Sequence, residues 1–178
     1  MIKILIVEDH DILAESLKAM LVDDYDVVGS VRDAKLSTLY CQKLMPDLVL
    51  MDVLTANNSD GIDACMELKN KFKNIKVLIV TGFDGVGYIK RAYEAGADGY
   101  ITKDSNKEDI LQAIKNVIDG NGQFPIINDN IDKEAIELTS KETEVLFYVC
   151  EGLTRSEIAE VLCVSEATIK THLAKCLE

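Results

Sequence analysis

Five polar residues stand out because each closes a run of apolar, β-rich sequence: Glu8 and Asp9 after IKILIV, Asp52 after LVLM, Thr81 at the end of KVLIVT, and Lys103 after GYIT. Three carboxylates brought to one place repel one another. A divalent cation relieves that repulsion, and hard oxygen ligands suit Mg²⁺ (or Mn²⁺). A cation, a spare carboxylate nucleophile, a hydroxyl and a lysine are the parts needed for phosphoryl transfer. In that chemistry Asp52 attacks in line, Thr81 donates to a phosphoryl oxygen, and Lys103 and the cation offset the charge of the transferring group. A single acid at a strand end reads as a solvated loop residue; the whole set at successive strand ends points to a site.

The elements that must position these residues are legible in the alternation of patterns over residues 1–120. Short apolar runs at 2–7, 26–31, 48–53, 76–81 and 98–102 are separated by stretches with helical spacing at 11–22, 34–45, 62–72, 86–95 and 107–119. Several runs are apolar on both faces, as central strands covered by helices on each side require. Five β/α pairs predict an α/β fold, a doubly wound parallel sheet with right-handed crossovers. Sites in such sheets form at the carboxyl ends of the strands, where Glu8, Asp9, Asp52, Thr81 and Lys103 lie.

The segments ILIVEDH, PDLVLMDV, VLIVTGFD and AGADGYITKDS resemble a response-regulator receiver domain. The resemblance covers residues 1–120 and implies a flavodoxin-like five-stranded sheet of order 2-1-3-4-5. It implies that Asp52 is the phosphoacceptor, that Glu8, Asp9 and Asp52 hold Mg²⁺ with the backbone carbonyl of Leu54, and that Thr81 and Lys103 read the phosphoryl group. Tyr100 matches the switch aromatic, expected to turn inward as Thr81 moves toward the phosphate. A sensor histidine kinase is the implied donor, and the chain is expected to catalyse its own phosphoryl transfer and dephosphorylation, with no further enzyme activity. Phosphorylation then acts as a local charge event that biases a two-state surface around residues 82–105.

The stretch LTANNSDG departs from that pattern. Receivers usually carry proline four residues after the phosphoacceptor and glycine eight after it; here position 56 is Ala, and Gly61 comes nine after Asp52. The loop is one residue longer and lacks its stiffener, which bears on how the Leu54 carbonyl meets a metal. Leu54 and Phe83, each two residues beyond a site residue, are apolar and cannot orient an attacking water. Slow self-dephosphorylation is the expected result, and a phospho-Asp52 lifetime of seconds would contradict it.

After the linker DGNGQFPIINDNID the pattern is helical to the end of the chain. The expected partition is receiver 1–120, linker 121–137 and a small all-α unit 138–178. Capping-box pairs occur at Thr139…Glu142 and Thr154…Glu157, Gly152 closes the first helix, and Ser165 is the expected N-cap of the last. The segments LTSKETEVL and EGLTRSEIAEVLCVSEATIKTH resemble the helix-turn-helix of the NarL/FixJ (LuxR-type) regulators. That resemblance implies a recognition helix over 165–177 lying in the major groove of DNA, with Lys170, Thr171 and Ala174 facing bases and His172 and Lys175 as backbone contacts or supports. It also implies a homodimer when active. The family's domain has a fourth helix beyond this point, so a C-terminally truncated form is expected.

Composition sets the limits on these readings. The formal net charge is −12, and both 1–120 and 121–178 carry net −6, so any DNA contact is a local basic edge on an acidic body. No apolar run approaches about 18 residues and acids come early at the amino terminus, so neither a membrane span nor a signal peptide is expected. Five scattered cysteines without C-x-x-C spacing read as reduced, mostly buried thiols of a cytoplasmic protein. The two histidines, His10 and His172, sit in opposite halves with no ligand cluster near either, which argues against a zinc site. The competing reading is a receiver that takes no phosphate and works as a protein-interaction or constitutive DNA-binding module. A haloacid-type phosphatase would want a second aspartate where the chain has Leu54.

Overall fold

The computed structural model describes residues 1–125, 145, 146, 148–150, 152–162 and 164–176, the last three of these for backbone alone. Contacts divide the chain into two compact units, Met1–Ile127 and Asn128–Glu178.

In the first unit β1 (Lys3–Val7), β2 (Asp26–Val31), β3 (Leu48–Met51), β6 (Lys76–Thr81) and β7 (Gly99–Thr102) form one sheet in the order β2-β1-β3-β6-β7. Every pairing in it is parallel. Between β3 and β6 lies a separate two-stranded hairpin, β4 (Leu54–Thr55) and β5 (Ser59–Asp60). With the hairpin left out, the order is the expected 2-1-3-4-5.

Alternating side chains of the strands enter two different cores, as the period of two demands. Leu5, Val7, Val49, Met51, Val77 and Ile79 pack under α2 (Ser37–Leu44), α3 (Gly61–Lys71) and α4 (Val86–Glu94) through Cys41, Cys65, Leu68, Ile89 and Ala92. Ile4, Ile6, Leu48, Leu50, Leu78 and Val80 pack under α1 (Asp11–Leu21) and α5 (Lys107–Ile118) through Leu17, Leu21, Ile110, Ile114 and Val117. Burial on both faces explains why β3 reads as an unbroken apolar run and why its carboxyl end can deliver a polar residue only by stopping.

The differences from the expected elements are local. The 34–45 stretch opens with a 3₁₀ turn, Ala34–Leu36, capped by the Asp33 carboxylate on the Lys35 N–H. The expected strand over 48–53 ends at Met51; the Asp52 N–H still donates to the Val7 carbonyl, and the hairpin begins two residues on at Leu54. The first residues of the expected linker belong to the receiver unit. Gln123 bridges Gly99 in parallel, its carbonyl accepts from the Tyr100 N–H, and Phe124 meets Tyr93 edge-on at 5.5 Å.

In the second unit, helices Arg155–Val161 and Glu166–Cys176 pack around Val145, Ile158, Ala159 and Ile169. Thr154 and Glu157 form the full capping box, and the Ser165 hydroxyl accepts from the Thr168 N–H at 3.1 Å. Gly152 takes φ +84° and ends the preceding helical segment. The Thr139…Glu142 pair, Cys163 and most of the linker lie outside the described residues.

Candidate functional site

The carboxyl ends of β1, β3, β6 and β7 bring the nominated residues to one edge. Asp52 is held there by its own backbone N–H on the Val7 carbonyl at 2.9 Å, and Glu8 by its N–H on the Val31 carbonyl at 2.9 Å. The Lys103 N–H donates to the Thr81 carbonyl at 2.8 Å, which joins the ends of β6 and β7. These bonds continue the sheet ladder just past each strand, so the backbone fixes where the site side chains begin.

The side chains then converge. Lys103 Nζ lies 2.7 Å from Glu8 Oε2 and 2.8 Å from Asp52 Oδ2. The other Asp52 oxygen accepts from the Val53 N–H at 2.7 Å, and Glu8 Oε1 accepts from the His10 N–H at 3.0 Å. Glu8 and Asp52 are only 2% and 6% exposed, so their charges need partners in place. Burial alone would lower the Lys103 ammonium, but the hydrogen bonds and charges of Asp52 and Glu8 outweigh it and hold its pKa above the ordinary lysine value.

One carboxylate oxygen each from Glu8, Asp9 and Asp52 lies within 4.8 Å of the others, with Asp9 half-buried. Hard oxygen donors at that spacing fit Mg²⁺ or Mn²⁺. They face a cleft of about 560 Å³ bounded on the α1 side by Ile12 and Leu13.

Thr81 is buried, and its hydroxyl accepts from the Phe83 N–H at 3.4 Å. Tyr100 points inward: it is 1% exposed and its hydroxyl donates to the Phe83 carbonyl at 2.7 Å. Burial pushes the Tyr100 phenol up to about 12. Thr81 and Tyr100 thus both bond the backbone of Phe83, whose ring stacks on Tyr88 of α4 at 4.8 Å. Of the two apolar residues expected beside the phosphoryl position, Leu54 is half exposed and Phe83 is turned to Tyr88.

The longer loop is a hairpin rather than a slack connection. Leu54 pairs with Asp60 and Thr55 with Ser59, and Asn57 and Asn58 turn the corner at φ +61° and +53°. Asparagine is among the residues that tolerate this left-handed region. The Thr55 hydroxyl accepts from the Ala34 N–H and donates to the Ser59 carbonyl, both at 3.0 Å. Asn57 Nδ2 donates to Asp33 at 2.9 Å and the Ala56 N–H to the Arg32 carbonyl at 3.0 Å. Gly61 sits where a Cβ would lie 1.8 Å from the Asp52 carbonyl oxygen, so only glycine fits there.

The residues not nominated from sequence are Asp60 and Arg91. One Asp60 oxygen caps α3 by accepting from the Ile62 N–H at 2.7 Å, and the other accepts from Arg91 Nη2 at 2.7 Å. The pair Asp-Gly ahead of a helical stretch is the only sequence signal for the cap, and nothing marks the arginine.

In the helical unit Lys170 and Thr171 are exposed, while His172 is half-buried. The Thr171 hydroxyl donates back to the Ala167 carbonyl at 3.0 Å. The side chains of Ala174 and Lys175 lie outside the described residues. Cys41 and Cys65 are buried free thiols pushed up to about 12 by burial, and Cys150 is exposed. Among the described residues no helix is long and apolar enough to cross a membrane.

Comparison with known proteins fits both units. Residues 4–115 match the response regulator receiver domain, and residues 137–178 match the bacterial regulatory proteins of the luxR family. The transcriptional regulatory protein DesR of Bacillus subtilis (strain 168) is 34% identical over 181 residues, covering 100% of this chain and 89% of that protein. A two-component response regulator of the LuxR family from Aurantimonas sp. SI85-9A1 superposes with a TM-score of 0.67 at 30% identity, covering 76% of this chain and 98% of the other. RcsB, solved as two dimers bound to two parallel DNAs, shares the fold with a TM-score of 0.70 at 22% identity, over 96% of this chain and 87% of its own.

Proposed function

The chain belongs to the LuxR-family response regulators, with a receiver domain and a LuxR-type DNA-binding domain, and from that premise we propose that phosphorylation of Asp52 switches its DNA binding. The observation that carries the reading is the position of Lys103 Nζ, 2.7 Å from Glu8 and 2.8 Å from Asp52 at the joint end of the strands. A half-buried lysine shared by two buried carboxylates is a compensated charge cluster that can be re-partnered when a phosphoryl group arrives.

The donor is a phosphohistidine of a sensor kinase. An Asp52 carboxylate oxygen attacks phosphorus, the O–P bond forms, and the P–N bond to the histidine breaks. Lys103 leaves the Asp52 carboxylate for a phosphoryl oxygen, and the Thr81 hydroxyl donates to another. Glu8, Asp9, Asp52 and the Leu54 carbonyl would hold Mg²⁺ or Mn²⁺, which offsets charge on the transferring group. Thr81 and Tyr100 share the backbone of Phe83, so a movement of Thr81 toward the phosphate is passed to the α4 face. Leu54 and Phe83 offer no group to orient water, and phospho-Asp52 accordingly lasts minutes or longer. The receiver performs no catalysis beyond its own phosphoryl transfer and dephosphorylation.

The helix Glu166–Cys176 presents Lys170 and Thr171 to the major groove, in a homodimer that reads two half-sites. The test is selection from a random duplex DNA pool by the chain with and without acetyl phosphate and Mg²⁺. Enrichment of a paired motif by the treated protein alone is expected. Equal enrichment without treatment, or by Asp52→Asn, contradicts the switch and favours a constitutive module.

A further inference from the structure

We infer that the Asp60–Arg91 ion pair is a strap by which α4 positions the metal side of the pocket, making Asp60 and Arg91 positioning residues for divalent-cation binding at Glu8, Asp9 and Asp52. The inference rests on the proposed reading of that pocket as a cation site, and adds a regulation of it from α4.

Leu54 stands opposite Asp60 in antiparallel register, and the Gly61 N–H donates to the Val53 carbonyl at 2.8 Å. The backbone that carries Asp52, Val53 and Leu54 is therefore flanked by Asp60 and Gly61. Gly61 touches the Asp52 carbonyl so closely that no side chain can stand between them. A displacement of residues 60–61 must displace residues 52–54.

Asp60 is in turn held from two directions. Oδ1 accepts from the Ile62 and Asp63 N–H groups at 2.7 and 3.3 Å, which fixes the start of α3. Oδ2 accepts from Arg91 Nη2 at 2.7 Å, and Arg91 also lies 3.5 Å from Asp63. Burial would raise the Asp60 carboxyl, but Arg91 and the two helix N–H groups outweigh it and hold it below the ordinary range. Charge-assisted bonds of this length are directional as well as strong.

The hairpin's remaining described anchors, to Arg32, Asp33 and Ala34, lie on the β2–α2 side. Arg91 supplies a hold from the opposite side. It sits in α4 next to buried Ala92, in the helix whose first turn carries Tyr88 against Phe83. The chain has no proline to stiffen this loop, and the strap does that work by a contact that α4 can tighten or release. Coupling of this kind is reciprocal: a cation that fixes residues 52–54 must also favour the α4 position that closes the strap.

The two charges give a test that separates positioning from electrostatics. Arg91→Met makes the neighbourhood more negative and, by long-range charge alone, would tighten Mg²⁺ binding. Asp60→Asn makes it less negative and would loosen it, while asparagine still caps α3. A strap predicts that both substitutions weaken Mg²⁺ binding, by about fivefold. Arg91 is 46% exposed, and so open an ion pair adds little to global stability, so the thermal midpoint in EDTA should fall only slightly in either variant.

The measurement is a Mg²⁺ titration followed by amide ¹H–¹⁵N shifts of Asp9 and Asp52 in the wild type, Arg91→Met, Asp60→Asn and Arg91→Lys, with melting in EDTA alongside. Weaker binding in both charge-removing variants, partial recovery in Arg91→Lys and nearly matched melting support the strap. Opposite effects of the two variants, wild-type affinity in both, or loss of affinity only in step with melting overturn it. A wild type that shows no Mg²⁺-dependent shifts overturns the reading of the pocket itself, and the strap with it.

Discussion

At the strand ends, Glu8 and Asp52 are almost fully buried and each carboxylate oxygen named above has a partner within 3.0 Å. In the helix Glu166–Cys176, Lys170 and Thr171 stand exposed, and the unit behind them rests on a core of Val145, Ile158, Ala159 and Ile169. The contrast shows two ways of building recognition. A pocket that must hold several charges needs a rigid sheet and has little freedom in where its residues lie. A surface that waits for DNA needs only a helix with its caps in order, and its side chains stay solvated until the partner arrives. Substitutions in the two regions should accordingly fail in different ways.

The largest effect is expected at the pocket's back wall. Gly61→Ala drives a Cβ into the Asp52 carbonyl, and the strain should cost on the order of 3 kcal/mol and remove phosphorylation together. Chemical denaturation of the receiver unit, with phosphoryl loading beside it, checks this. A variant that stays stable and phosphorylates normally would show that the hairpin moves freely relative to Asp52, against the rigid half of the contrast.

A second effect sharpens the role of partly buried charge away from the site. Asp98 accepts from Lys69 at 2.7 Å, the Val77 N–H at 2.9 Å and Lys76 at 3.0 Å. Burial would raise its carboxyl, but these partners outweigh it and hold it below the ordinary carboxylate range. A folded-state value below the unfolded one stabilises the fold above the unfolded carboxyl pKa, roughly pH 4, and that stability is lost as pH falls through the folded value. Asp98→Asn should cost about 2 kcal/mol at neutral pH, and the gap from the wild type should close on acidification. A gap independent of pH would mean that the contacts act by packing and not by charge.

The smallest effect belongs to the helical unit. Thr154→Ala removes the capping box with Glu157 and should cost about 1 kcal/mol there, seen as loss of helix on denaturation, with phosphorylation of Asp52 unchanged. A fall in phosphorylation would break the separation between the two regions.

How much of this was legible in sequence follows the same division. Strands buried on both faces announce themselves as apolar runs, and residues that end such runs must lie at the sheet's edge; that placed Glu8, Asp9, Asp52, Thr81 and Lys103. Caps are short-range chemistry, so Thr154…Glu157 and Ser165 were legible too. The hairpin was not, because strands of two residues carry no periodicity; Asn57-Asn58 was its only trace. The Arg91–Asp60 pair joins residues 31 apart in sequence through side chains, and no spacing rule reaches that far. Gln123 joins the edge of β7 through its backbone, to which the Gly- and Pro-rich composition around it is blind.

The most direct test of the central claim is the intact mass of the chain after incubation with acetyl phosphate and Mg²⁺, with Asp52→Asn and an EDTA-treated sample as controls. One added phosphoryl group, absent from both controls, is the expected result. A folded wild type that gains no mass, or an Asp52→Asn variant that gains as much, would contradict the assignment of Asp52 as the phosphoacceptor of this pocket.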